Sequence, residues 1–323
     1  MMKTGRKRTV LKVIVGFVVL LLLVLVAAYF YVSSVAGGSE VGKLPAGYSL
    51  VEANGYRFST KISGDKNDTP VILLHGFPES SVMWKRLMAD LNEQGYYTIA
   101  PDQRGYSYKA RPEDIEQYKI DSLASDVIAL ANELGLEKFH LVTHDWGAGV
   151  GWKVAADYPE RLHSFTSLSV PHLAAFSRAY REDTAQYNAS DYIRNFQTAK
   201  MPEFMLGKND YKLLRSLWKD HTEEDKEAYV ELLSQKNALT SAINWYRANF
   251  NIFDEGFKTP KIEVPVLFIW GNQDKAIKRS GIDWNKECIN GYYKFVEVEA
   301  GHWLIQEDYD EVQAEIVAHL EKF

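Results

Sequence analysis

From Tyr48 onward, short apolar runs alternate with amphipathic stretches, and this alternation constrains the chain more than any other feature. Tyr56–Ile62 predicts an early strand, closed by the turn-forming run Gly64-Asp65-Lys66-Asn67-Asp68. Val71–Leu74 is uninterrupted apolar sequence, the kind buried on both faces of a parallel sheet. A helix ending at Gly95 and a strand at Tyr97–Ala100 follow. Leu123–Leu134 reads as a helix with Gly135 at its C-terminal cap. Phe139–Val142 is a strand, Gly147–Tyr158 a helix stopped by Pro159, and Phe165–Val170 a strand. Alternation of this kind predicts an α/β fold with a mostly parallel sheet.

Between Pro171 and Phe257 the rhythm breaks. The segment is helical in pattern, without convincing strands, and dense in Tyr, Trp and Phe. Val266–Trp270 and Lys294–Val298 restore the strands, and Gln306–Leu320 makes a closing helix. The late strands need a sheet to join, so residues 48–170 and 258–323 form one core and residues 171–257 a helical cap inserted in it.

The N-terminus has another character. Lys3, Arg6, Lys7, Arg8 and Lys12 precede any acid, and residues 13–32 carry no charge. Twenty residues at ~1.5 Å each span ~30 Å, the thickness of a bilayer's hydrocarbon core. Tyr29, Phe30 and Tyr31 sit at the outer end, where amphipathic rings favour the interface. These features predict a basic flank over residues 1–12, a single-pass anchor over residues 13–32 and a linker over residues 33–47. The basic flank keeps the N-terminus cytoplasmic and exports the rest. The alternative is a cleaved signal peptide, because Ser34-Val35-Ala36 resembles a processing site, although the apolar run exceeds the usual length.

The net charge is −6, and without the five N-terminal basic residues the remainder carries −11. That acidity argues against a nucleic-acid partner. The single cysteine, Cys288, cannot form an internal disulfide. His140 and His144 lie four apart on a strand rather than a helix, so they make no metal pair. Neither a metal nor a cofactor is expected.

The chemistry concentrates at Phe139-His-Leu-Val-Thr-His-Asp145-Trp-Gly-Ala-Gly, which puts Asp145 at a strand-to-helix turn flanked by Thr143 and Gly147. This spacing is that of a nucleophile elbow, with a carboxylate where a serine is more familiar. A carboxylate needs no deprotonation and attacks activated carbon to give an alkyl ester. Read alone, Asp145 could equally be an N-cap. Upstream, His75-Gly76-Phe77-Pro78 ends a strand in a turn that offers the Phe77 amide, and Trp146 offers a second amide for an oxyanion. Downstream, Asp274 and His302 each follow a strand. The order nucleophile, acid, histidine matches one known triad order, with His302 activating water and Asp274 orienting its ring. Glu297 and Glu299 are weaker candidates for the orienting acid.

These motifs, together with Asp102-Gln-Arg-Gly-Tyr106, Asn244-Trp-Tyr246-Arg247 and Gly301-His-Trp303, make residues 48–323 resemble the epoxide hydrolase branch of the α/β-hydrolase fold. The resemblance implies that two cap tyrosines bind the epoxide oxygen. Tyr246 matches the second of them. Tyr192, in Asp191-Tyr-Ile-Arg-Asn-Phe-Gln197, matches the first, with Tyr180 and Tyr187 as alternatives. His75, Pro78 and Trp303 are candidates for the pocket wall. Thr143 and Ser107 stand where relatives carry glycine.

The function this implies is conversion of small apolar epoxides to vicinal diols through an ester on Asp145. Two alternatives remain at this point. A haloalkane dehalogenase shares the elbow aspartate, but Phe77 lacks the side-chain donor that would hold halide. A noncatalytic binding member would be expected to have lost part of the triad.

Overall fold

A computed structural model describes residues 3–38 and 41–323, with side chains described from Val13 onward apart from residues 39–40. The side chains of the basic flank lie outside the described residues. Eight strands form one sheet: β1 (Tyr48–Ala53), β2 (Tyr56–Ser63), β3 (Thr69–Leu74), β4 (Tyr96–Pro101), β5 (Phe139–His144), β6 (Leu162–Leu168), β7 (Val266–Gly271) and β8 (Tyr293–Val298). Their spatial order is β1-β2-β4-β3-β5-β6-β7-β8. The pairs β1–β2 and β2–β4 are antiparallel and the rest parallel.

Every residue of β5 and β7 is buried, because helices cover both faces of the sheet's centre. β1 was not anticipated as an element. It pairs with β2 across Asn54-Gly55, both at positive φ (49° and 77°), an Asn-Gly hairpin turn that matches the twist of the strands. At the far end, the single expected closing helix divides into Leu304–Glu307 and Tyr309–Leu320, because Asp308 adopts an extended φ of −146°.

The cap leaves after β6 and returns before β7. It is helical throughout: Leu173–Glu182, Thr184–Ala189, Asp191–Asn195, Met201–Leu217, Glu223–Leu233, Ala238–Ala248 and Phe250–Asp254. The fourth of these bends sharply at residues 208–211, where Asn209, Asp210 and Tyr211 have φ of 55°.

The first helix runs from Lys3 to Ala36, and its Val13–Ala36 portion is long and apolar enough to cross a membrane, with the side chains of residues 13–31 exposed. The expected linker is not a free tether. The helix continues to Ala36, which is buried, and the Asn237 amide donates to the Gly37 carbonyl at 2.9 Å. At Gly38, φ is +64° and a side chain would meet the carbonyls of Ser234 and Gln235. Lys43 pairs with Glu231 at 2.6 Å. The segment is pinned along the cap because its glycines let backbone lie against backbone.

Candidate active site

β5 ends at His144, and the next helix (Trp146–Asp157) begins two residues later, leaving Asp145 to make the whole turn. Its φ is 51° and ψ −120°, a conformation costly for a side chain other than glycine and characteristic of a strained functional turn. Gly147 permits the tightness, since a Cβ there would overlap the carbonyls of Leu74 and His75. Thr143 causes no conflict: it is buried on β5 and donates its hydroxyl to the Thr166 carbonyl at 2.9 Å.

The turn holds the carboxylate with its two oxygens in different surroundings. Oδ1 accepts the Phe77 amide at 2.7 Å, and Oδ2 faces His302 Nε2 at 3.4 Å. The other ring nitrogen of His302 lies 2.7 Å from Asp274 Oδ2. Asp274 Oδ1 accepts the amides of Ala276 (2.7 Å) and Ile277 (3.0 Å), so the orienting carboxylate is fixed at both oxygens. Glu297 instead pairs with Arg279 at the surface.

Burial by itself would lower the His302 pKa, but the charges of Asp274 and Asp145 and their hydrogen bonds raise it well above the ordinary value. For Asp145, burial would raise the pKa. Hydrogen bonding from His302, the charges of His302 and His144, and the Trp146 amide together lower it instead. Each group thus favours the charged form of the other.

Over the carboxylate lies a cavity bounded by Asp145, Trp146, Tyr192 and Tyr246, its remaining wall apolar through Leu173, Phe176, Phe253 and Ile277. The two phenol rings are 5.8 Å apart and nearly perpendicular. Burial, followed by the charges of Asp145 and Asp274, raises the Tyr192 pKa. Burial, the Asp145 charge and neighbouring phenols raise Tyr246 far more than Trp146 lowers it. Both remain protonated donors in neutral water. Tyr180 is bonded to Arg194 (3.3 Å) and Tyr187 is 44% exposed, so neither borders the cavity.

A family model described as the alpha/beta hydrolase fold matches residues 69–309. Human epoxide hydrolase 4 is 32% identical over 275 residues, covering 81% of this chain and 75% of the relative. The chain belongs to the α/β-hydrolase fold family, in its epoxide hydrolase branch. Two further relatives of the hydrolase are an AB hydrolase superfamily protein, YfhM, of Bacillus subtilis (36% identical; 80% of this chain, 92% of the relative) and epoxide hydrolase A of Mycobacterium tuberculosis (30%; 84% and 96%). Among solved structures, a Bacillus megaterium epoxide hydrolase complexed with its diol product superposes with a TM-score of 0.78 at 27% identity, covering 84% of this chain and all of that one.

Three residues expected on the pocket wall of this epoxide hydrolase relative lie elsewhere. His75 is buried under the Phe77 turn, its Nε2 accepting the Gln103 amide at 3.2 Å and its ring edge-on to Tyr106. Pro78 is also buried and follows a cis peptide bond. Trp303 packs behind His302 with ring centroids 5.0 Å apart. All three shape the parts that hold the site instead of facing its cavity, a distinction that strand-end position alone does not reveal.

Sequence reasoning also passed over Glu79, one residue beyond the His75–Pro78 turn. It is buried, and its Oε1 accepts from Gln306 (3.0 Å) and pairs with His221 Nε2 (2.8 Å). Its Oε2 lies 3.3 Å from His144 Nδ1, and His144 Nε2 meets the His302 carbonyl at 2.9 Å. Burial would raise the Glu79 pKa, yet hydrogen bonds and charge from His144 and His221 lower it to about 2. This buried group ties the oxyanion turn, the residue before Asp145 and the histidine loop into one unit. An acid directly after a His-Gly-Phe-Pro turn was the available signal.

Proposed function

We propose that this hydrolase converts apolar epoxides to vicinal diols through an ester on Asp145. Oδ2 attacks an epoxide carbon, the C–O bond breaks, and the departing oxygen takes a proton from Tyr246 or Tyr192. Esterification removes the Asp145 charge, His302 gives its proton to solvent, and water then adds to the ester carbonyl carbon while the neutral ring, oriented by Asp274, accepts water's proton. Oδ1 carries the developing negative charge between the amides of Phe77 and Trp146. Collapse breaks the acyl–oxygen bond, and the diol oxygen takes the proton from His302. The diol departs, the regenerated Asp145 carboxyl gives up its proton, and the phenolate takes one back through solvent.

The observation that carries this reading is the divided environment of Asp145. One oxygen rests on an amide, and the other is open toward His302 beneath the phenols of Tyr192 and Tyr246. Phenols suit an oxygen leaving group, whereas the Phe77 side chain offers nothing to a halide. The apolar wall supports an apolar substrate.

Retention of the first helix as an anchor, N-terminus inside and hydrolase domain exported, completes the reading. Its support is the uncharged Val13–Val32 run behind five basic residues.

The test is to mix the His302→Gln variant with an aryl epoxide and weigh the intact protein. A mass gain equal to the epoxide, mapped to Asp145, is expected. A gain from a bromoalkane with bromide released, and none from the epoxide, would replace this reading with dehalogenation.

A further inference from the structure

We propose that the cap segment Met201–Leu217 is a second membrane contact, lying on the bilayer interface next to the point where the anchor emerges. The inference rests on the anchor reading and goes beyond it, because a helix can tether a domain that stands clear of the membrane.

Three observations carry it. The cap is joined to the outer end of the anchor by specific contacts. Lys200 Nζ donates to the Tyr29 hydroxyl at 3.1 Å and to Ser33 Oγ at 3.0 Å. The rings of Tyr31 and Phe204 meet edge-on at 5.8 Å, and Gly207 faces Val35. Tyr29 and Tyr31 belong to the last turn of the uncharged span, so the start of the cap segment sits at the level of the lipid headgroups.

The segment also exposes apolar side chains. Met201, Met205, Leu213 and Leu217 are 51%, 40%, 48% and 45% exposed. Each pair is spaced i, i+4, placing its members on one helix face. Residues 200–220 further carry five cations (Lys200, Lys208, Lys212, Arg215, Lys219) against three acids, with Arg215 paired to Asp210 and Glu227 and Lys219 beside Asp220, in a domain that is otherwise acidic. One of those acids, Glu203, is buried against Arg247 at 2.7 Å.

Exposed methionine and leucine among lysines is the composition of an interfacial segment, whose apolar face enters the headgroup–acyl boundary by about 5–10 Å while its cations meet anionic lipid. The occupant is therefore a bilayer containing anionic phospholipid. The same chain segment reaches the active site: Tyr192 and Ile193 border the cavity, and Lys200 is eight residues on. A bilayer contact here brings the cavity close to where apolar epoxides partition.

The test uses the full chain with Cys288→Ser, reconstituted in vesicles of mixed zwitterionic and anionic phospholipid. Single cysteines at Met205→Cys, Leu213→Cys, Val24→Cys and Lys66→Cys carry an environment-sensitive fluorophore, and nitroxide lipids labelled at shallow or deep positions serve as quenchers. Lys66 lies on the turn before β3, at the opposite end of the sheet from the cap. Probes at Met205 and Leu213 losing most of their emission to shallow nitroxides, with the Lys66 probe unaffected, is the expected result. Quenching at Val24 by deep nitroxides, with none at Met205 and Leu213, would overturn the cap contact and leave the anchor standing. No quenching at Val24 would remove the anchor reading and this proposal together.

Discussion

The Phe77 amide donates to Asp145 Oδ1 at 2.7 Å, so the donor that the proposed reaction needs for developing negative charge already holds one oxygen of the carboxylate. In the proposed mechanism the amide thereby selects which oxygen attacks. Oδ1 is held back and becomes the ester carbonyl, while Oδ2 is left to form the new bond. No rearrangement of the turn is needed between the two steps, because the same donor serves the carboxylate and the tetrahedral intermediate.

That division predicts the fate of oxygen. In a single turnover in heavy-oxygen water, the first diol released should contain ordinary oxygen taken from Oδ2, and the label should appear in Asp145. Peptide mass analysis after one turnover checks this. Label entering the diol directly on the first turnover would point to water attacking the epoxide without an ester.

Asp145→Ala should reduce turnover by about 10⁴-fold or more, as expected for removal of a covalent nucleophile. The fold should survive, since the strained φ of 51° is a cost that a smaller side chain does not increase. Steady-state rates and a thermal melt together decide whether the loss is chemical.

Tyr246→Phe should slow ester formation by roughly 10²–10³-fold, the scale of losing one donor to a developing oxyanion. Cleavage of a preformed ester should be nearly unchanged. Rapid-quench kinetics separates the two steps, and equal slowing of both would remove Tyr246 from ring opening. Tyr192→Phe should act on the same step.

The pH dependence follows from the charges around His302. Asp145 and Asp274 both hold its pKa up, and alkylation removes one of those charges. The pKa should therefore fall once the ester forms, freeing the ring to accept a proton from water. The ester-cleavage rate should rise with pH through one ionisation, at a pH below that at which His302 titrates in the free enzyme by NMR. In the resting protein, a raised histidine pKa contributes stability that is complete below the unfolded value of ~6.5 and is lost as pH rises through the folded value.

Glu79 acts in the opposite sense. Its pKa is lowered to about 2, so its stabilisation is present above the unfolded value of about 4.3 and is lost as pH falls toward 2. Glu79→Ala should cost roughly 1–3 kcal/mol or more, because it leaves buried hydrogen-bonding partners on His144, His221 and Gln306 without an acceptor. Glu79→Gln should cost less by retaining hydrogen bonds. Urea denaturation of both variants measures the difference.

Much of the fold was legible because its central strands are continuous apolar runs bounded by strong turn residues, as at Val71–Leu74 followed by His75-Gly76-Phe77-Pro78. The edge was harder. β1 reads Tyr-Ser-Leu-Val-Glu-Ala, half exposed and mixed in character, and only the Asn54-Gly55 turn betrays its pairing with β2. The closing helix was anticipated without its break, since nothing in Gln306–Tyr309 resembles a helix stop.

At the site, motif and order singled out Asp145, Asp274, His302, Tyr192 and Tyr246; the structure puts Asp145 and both phenols on one cavity and joins Asp145 to His302 and His302 to Asp274. The burial of His75 and Pro78 beneath the oxyanion turn was not readable. Which side of a turn faces substrate depends on the cap above it, and cap packing leaves no periodic trace. Glu79 escaped for a related reason: its partners His144 and His221 come from distant parts of the chain and meet only in three dimensions.

The cap begins after β6 and ends before β7, and those two strands are hydrogen-bonded neighbours. An insertion whose entrance and exit lie side by side makes no demand on the span between them. Its length, and its sequence away from Tyr192 and Tyr246, can vary while the sheet keeps its register. In such an architecture the catalytic floor is inherited and the ceiling is negotiable, so a change of substrate can be sought in the ceiling without rebuilding the floor.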